Sequence, residues 1–117
     1  MIEIGVFHNG ASELPTIRTK DGTVVNDGTL AEVHASSQTT VVNQVRQGIL
    51  ADRLGFNYFF MTEHHFQPEG VEFSPSPLLS EAGIATQTRR IRLGQAANII
   101  NWHHPYGSRN RLRCSTS

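Results

Sequence analysis

From Thr39 onward apolar residues recur at helical spacing: Val41, Val42, Val45, Ile49, Leu50 and Leu54. Thr39 or Thr40 is placed to cap the start of that helix, and Gly55 stands where a glycine C-cap belongs. The period is different on either side. "IEIGVFH" (Ile2 to His8) alternates and is β-branched, which predicts a strand. "FNYFFMTE" (Phe56 to Glu63) is a continuous apolar run, the pattern of a strand buried on both faces. "SPSP" (Ser74 to Pro77) offers a serine cap with proline in a first turn, and "LLSEAGIATQT" follows as a second helix, whose Gly83 would permit close packing. "RIRLGQAANIIN" (Arg90 to Asn101) predicts a third strand. "IRTKDGTVVN" reads as a small hairpin turning at Asp21-Gly22, inside a long loop from His8 to Thr39.

Strand, helix, strand, helix, strand implies parallel strands joined by right-handed crossovers. An open doubly wound sheet and a (β/α) barrel both satisfy that order. "FHNGAS" after the first strand is not the G-x-G-x-x-G of a dinucleotide-binding sheet, which favours the barrel.

Composition narrows the class. The chain has 117 residues, ten Lys plus Arg against ten Asp plus Glu, and a net charge of zero. A dedicated nucleic-acid binder normally carries a basic excess. The single cysteine, Cys114, rules out an intrachain disulfide and fits a reducing compartment. No apolar run approaches the ~18 residues of a membrane span, and "MIEIGVFHNG" lacks the marks of a signal peptide. A cytoplasmic protein is expected.

The candidate chemistry lies in the histidines. His8 ends the first strand, His64 and His65 end the second, and His103 and His104 follow the third. Parallel strands bring all these ends to one rim, which in a barrel is the face that carries chemistry. His34, in the long loop, receives no role. Neither H-x-H nor H-E-x-x-H is present, and adjacent histidines on a strand point apart. That leaves acid–base chemistry or ligand hydrogen bonding as the better role. "GQAAN" (Gly94 to Asn98) sets small residues in the third strand, where a flat group or another backbone can approach closely.

Taken in order, "LADRLGFNYFFMTEHHF", "SPSPLL", "RIRLGQAANII" and "HHP" resemble the N-terminal third of the bacterial-luciferase-like flavin-dependent monooxygenases. The resemblance covers Ile2 to Pro105. It implies the N-terminal part, about three β/α units, of a truncated (β/α)8 TIM barrel, which in full needs about 250 residues. It also implies reduced FMN and O2 as reactants, with an organic substrate such as an aldehyde. A flavin reductase would supply the reduced flavin, and the full-length protein would be a homo-oligomer.

By the same resemblance His64 is the catalytic histidine beside the flavin. Ala96 and Ala97 match the paired small residues whose non-proline cis peptide supports the flavin ring, with Asn98 beside them. Glu63 and His65 fall on pocket-lining positions, and His8 joins them by its place at the end of the first strand. The alternatives are a deazaflavin-dependent oxidoreductase on the same scaffold, a metal-dependent barrel hydrolase and a non-catalytic chain. The tail "YGSRNRLRCSTS" (106–117) departs from the family and is expected to be disordered, with its arginines solvated. The flavin phosphate has no visible anchor, and the chain alone is expected to be inactive and either poorly soluble or oligomeric.

Overall fold

The computed structural model describes residues 2–65, 71–97, 99 and 104. Three parallel strands form its centre: β1 (Gly5–His8), β4 (Tyr58–Met61) and β5 (Arg92–Gln95), in the order β1-β4-β5. A two-stranded antiparallel hairpin, β2 (Thr16–Arg18) and β3 (Val24–Asn26), branches off between β1 and the first helix. Asp21 and Gly22 sit in its turn, Gly22 with a φ of 91°, as the sequence predicts.

The long helix α1 (Leu30–Leu54) starts nine residues before the expected Thr39. Thr29 and Glu32 form a reciprocal capping box: the Thr29 amide donates to Glu32 Oε2 (2.7 Å) and the Glu32 amide to Thr29 Oγ1 (3.4 Å). That local signal at Thr29-Leu30-Ala31-Glu32 outranks the later onset of apolar periodicity. It turns much of the expected loop, with His34, into helix. Gly55 ends α1 in the left-handed conformation, as expected.

The buried stripe of α1 is Thr40, Gln44, Gly48 and Ala51, while Val42, Leu50 and Leu54 are exposed. Small and polar residues face inward because α1 lies tight against α2 (Pro77–Ala85). The tight contact is at Gly48, beneath the side chain of the fully buried Ile84. At Gly83 the spacing to Val45 is ordinary, so the close approach belongs to the other helix's glycine. Pro77 opens α2 as expected, although the Ser76 side chain makes no capping bond.

Register fixes which side chains share a face. Val6, Phe59 and Leu93 are paired across the sheet, as are His8, Met61 and Gln95. This set faces the helices, and its members Phe59 and Met61, with Val6 and Leu93 packed against them, join Ala51, Ile84 and Ile91 in the core. The other face carries Gly5, Phe7, Tyr58, Phe60, Arg92 and Gly94. Phe7 and Phe60 are exposed there. β4 is therefore buried on one face only, contrary to the reading of its continuous apolar run. Such runs suit strands covered on both sides, and here only the helix side is covered. The third strand is also shorter than the predicted Arg90–Asn101. Among the described residues no helix is long and apolar enough to cross a membrane.

Candidate active site

The C-terminal ends of β1, β4 and β5 form one rim, and the segment after β4 stitches it together. The Ser12 amide donates to the Val71 carbonyl (2.7 Å), and the Phe73 amide to the Gly10 carbonyl (2.8 Å). The His64 amide donates to the Ser74 carbonyl (3.0 Å). Residues 71–74 thus run between the end of β1 and the end of β4. This crossing demands glycine at position 10: its φ is 72°, and a Cβ would stand 2.7 Å from the Phe73 carbonyl oxygen.

A buried polar relay supports the rim from below. Gln44 of α1 donates through Nε2 to Ser74 Oγ (3.0 Å) and accepts at Oε1 from Ser80 Oγ (3.2 Å). One amide side chain so ties α1, the rim segment and α2 together. Buried polar groups persist when paired in this way.

The two adjacent histidines diverge, each to its own carboxylate. His65 Nε2 lies 2.8 Å from Glu63 Oε1, and this pair is the more deeply buried. The other Glu63 oxygen accepts from the Ile99 amide at 2.6 Å, which fastens the stretch after β5 to the stretch after β4. His64 Nε2 lies 3.1 Å from Glu72 Oε2, and both side chains retain solvent contact, 22% and 27% exposed. Asn9 Nδ2 donates to the other oxygen of Glu72 (3.0 Å). Of the two imidazoles, His64 is thus the more accessible at the rim. Among the described residues no group of three or more His, Cys, Asp and Glu side chains is arranged to hold a metal.

At the end of β5 the Ala96–Ala97 peptide is cis, the geometry that the resemblance implies for the flavin-bound barrel. The Ala96 amide donates to the Met61 carbonyl (2.8 Å), so this stretch is held against β4, and both alanines are exposed. Asn98 and His103 lie outside the described residues, as does the tail 106–117. His104 is exposed. Gly94 does admit a flat group, but that group is the chain's own Phe60 ring. A Cβ on Gly94 would stand 2.5 Å from Phe60 Cε1.

His8 stands apart from the rim pair. Its register places it on the helix-facing side, stacked on Phe59 with ring centroids 6.1 Å apart. Its buried Nε2 has no hydrogen-bond partner. Burial pushes its pKa below the ordinary histidine value, opposed by the Gln47 side chain. Sequence reasoning gives no rim role to Asn9, Gln44, Glu72 or Ser74. Only Glu72 carried a usable signal, as a carboxylate eight residues beyond His64 in a segment that must return to the rim.

Three comparisons bear on this geometry. The family model for luciferase-like monooxygenases matches residues 23–107. Limonene 1,2-monooxygenase of Rhodococcus erythropolis is 43% identical over 61 residues, covering 52% of this chain and 15% of that protein. Protein y4vJ of Sinorhizobium fredii is 38% identical over 72 residues, covering 62% of this chain and 20% of its own. A solved structure shares the fold with a TM-score of 0.67 at 19% identity, over 93% of this chain and 24% of its own. That structure is a type II Baeyer-Villiger monooxygenase, the oxygenating constituent of 3,6-diketocamphane monooxygenase from Pseudomonas putida, in complex with FMN. The chain therefore spans less than a quarter of the length of each of these proteins. With the family model matching well over half of its residues, the chain belongs to the luciferase-like monooxygenase family.

Proposed function

We propose that this chain carries the rim of a flavin-dependent monooxygenase, in which reduced FMN and O2 oxygenate a small organic substrate. The observation that carries the reading is the accessible His64 imidazole on the same rim as the exposed Ala96–Ala97 pair, in a chain of this family. The described residues fit the flavin ring better than its phosphate. Two alanines offer a surface that a planar ring can approach, with an imidazole on the same rim. The rim stretches Asn9–Glu13, Thr62–His65, Val71–Ser76 and Ala96–Ala97 contain no lysine or arginine to meet a phosphate.

Bound flavin would supply the redox chemistry toward oxygen. His64 would hold or move a proton at the reacting group, and Ala96, Ala97 and Asn98 would bear the ring. Glu63 and His65 would shape the pocket wall, and His8 would support it from the helix side. A flavin reductase would deliver the reduced cofactor, and the complete cytoplasmic enzyme would be a homo-oligomer. Substrate chemistry as specific as aldehyde oxygenation would be set by residues beyond this chain.

Titration of the chain with FMN, riboflavin and a 5-deazaflavin, followed by flavin fluorescence, tests the cofactor. Weak binding with little gain from the phosphate is expected. No binding up to millimolar ligand would overturn the reading, and a preference for the deazaflavin would move it to hydride transfer. In a complete homologous barrel, replacing the residue matching His64 by alanine should slow turnover by about two to four orders of magnitude and leave flavin affinity nearly unchanged. Turnover within a few-fold of the parent would remove His64 from the chemistry.

A further inference from the structure

We infer that Glu72 is a positioning residue for His64, holding the ring proton on Nε2 and so making Nδ1 the acceptor atom of the ring. The inference rests on the proposed function only for what the oriented ring then does. The contact itself is a property of this chain.

Three observations converge on it. First, Glu72 Oε2 lies 3.1 Å from His64 Nε2. A carboxylate only accepts hydrogen bonds, so the ring nitrogen facing it carries the proton. In a neutral imidazole the other nitrogen is then an acceptor, whatever it meets.

Second, Glu72 is itself held on two sides. Asn9 Nδ2 donates to its Oε1 at 3.0 Å, and its backbone forms an isolated bridge with Ala11. The flanking bonds from Ser12 to Val71 and from Phe73 to Gly10 fix the direction from which the carboxylate reaches the ring. The His64 backbone is fixed in turn by its bridge to Ser74.

Third, the neighbouring His65 has a separate carboxylate in Glu63, at 2.8 Å and more deeply buried. The two imidazoles do not compete for one acid. Glu63 serves the packed imidazole that anchors the rim, and Glu72 serves the accessible one. A carboxylate that orients the distal nitrogen of a working histidine fixes its tautomer and ring orientation, a role distinct from touching the ligand.

The test is nitrogen-15 histidine labelling of the 117-residue chain, read in solution or by magic-angle spinning of sedimented protein. His64 is expected to show a protonated Nε2 with a slowly exchanging, downfield proton and a non-protonated Nδ1. In Glu72→Gln that proton should exchange at least several-fold faster, because an amide can present either a donor or an acceptor to the ring. The His65 signals, held by Glu63, should stay in place and report an intact fold. A proton resident on Nδ1 of His64 would overturn the inference, as would a His64 Nε2–H signal unmoved by Glu72→Gln.

Should Glu72→Gln shift His65 as well, Glu72→Asp decides. It keeps the charge and withdraws the carboxylate by one methylene. Faster His64 exchange with His65 unmoved supports the inference, and any other pattern overturns it. None of these readouts requires flavin to bind, so a failed tautomer and a failed cofactor assignment are separable.

Discussion

A methyl group on Gly48 would stand 2.4 Å from Cδ1 of Ile84, closer than any real Cβ contact. Ile84 is fully buried, and its Cγ1 would also stand only 2.8 Å away. Gly83, on the facing helix, would place its methyl 3.4 Å from Val45, an ordinary contact. The two helical glycines should therefore respond to alanine with opposite signs. Helix propensity favours alanine by about 1 kcal/mol at either site. At Gly48 overpacking of about 1–3 kcal/mol opposes that gain, with no slack to absorb it. Denaturant midpoints should fall for Gly48→Ala and rise for Gly83→Ala. A rise in both would mean that the helices separate at little cost.

Gly10 is a second position that admits no side chain. Alanine there would hold a left-handed conformation at about 1–2 kcal/mol and press on the Phe73 carbonyl, which is backbone and yields little. The damage should be local first. The Phe73 amide, bonded to the Gly10 carbonyl, should exchange with solvent at least tenfold faster in Gly10→Ala. Amides of the core strand β4 should change far less. Uniform acceleration across β4 would show that the rim and the sheet open together.

How far the sequence disclosed this arrangement depends on the kind of signal. The alternation of strands and helices along the chain, the hairpin at Asp21-Gly22 and the Gly55 cap follow from local chemistry, and the structure has them. The start of α1 was missed because apolar periodicity is a tertiary signal, whereas the helix begins on a capping box at Thr29 and Glu32. The inward face of α1 is illegible in the sequence for a related reason. Gln44 and Gly48 are buried because of what α2 brings against them, and no single-segment pattern encodes that. At the rim, His64 could be named from its place at a strand end. Its partner Glu72 lies across an excursion of the chain, so their meeting is decided by the return path and not by spacing.

Buried Glu81 and half-buried His8 give the stability a pH signature, with opposite signs. Burial pushes the Glu81 carboxyl above its ordinary 4.5, and a hydrogen bond from Gln95 Nε2 (3.2 Å) opposes the shift. Above 4.5 the native state then holds more protons than the unfolded chain, so stability falls as pH rises through the raised value. His8 is pushed below its ordinary 6.5. There the unfolded chain binds more protons, so stability falls as pH drops below that value. Glu81→Gln should flatten the first dependence and raise the denaturant midpoint at neutral pH. His8→Leu should flatten the second and leave the first in place. A Glu81→Gln profile superimposable on the parent would show that the carboxyl is not penalised by its burial.

The last test concerns Glu63, whose two oxygens serve two different donors. One accepts from the Ile99 amide at 2.6 Å and the other lies 2.8 Å from His65 Nε2. The carboxylate is 1% exposed, so water cannot readily replace either partner. Glutamine in its place keeps the shape but loses the charge, so the bond it offers the Ile99 amide is a neutral, weaker one. A hydrogen bond to a charged group contributes about 1.5–3 kcal/mol and a neutral one about 0.5–1.5, so Glu63→Gln should lower the unfolding free energy by about 1 kcal/mol. The loss should also have a direction. The Ile99 amide tethers the stretch after β5, and Ala96 is fastened separately to the Met61 carbonyl. Exchange should therefore quicken at Ile99 and stay slow at Ala96 in the same sample. Equal acceleration at both amides would mean that Glu63 holds the whole end of β5 and not its far tether alone.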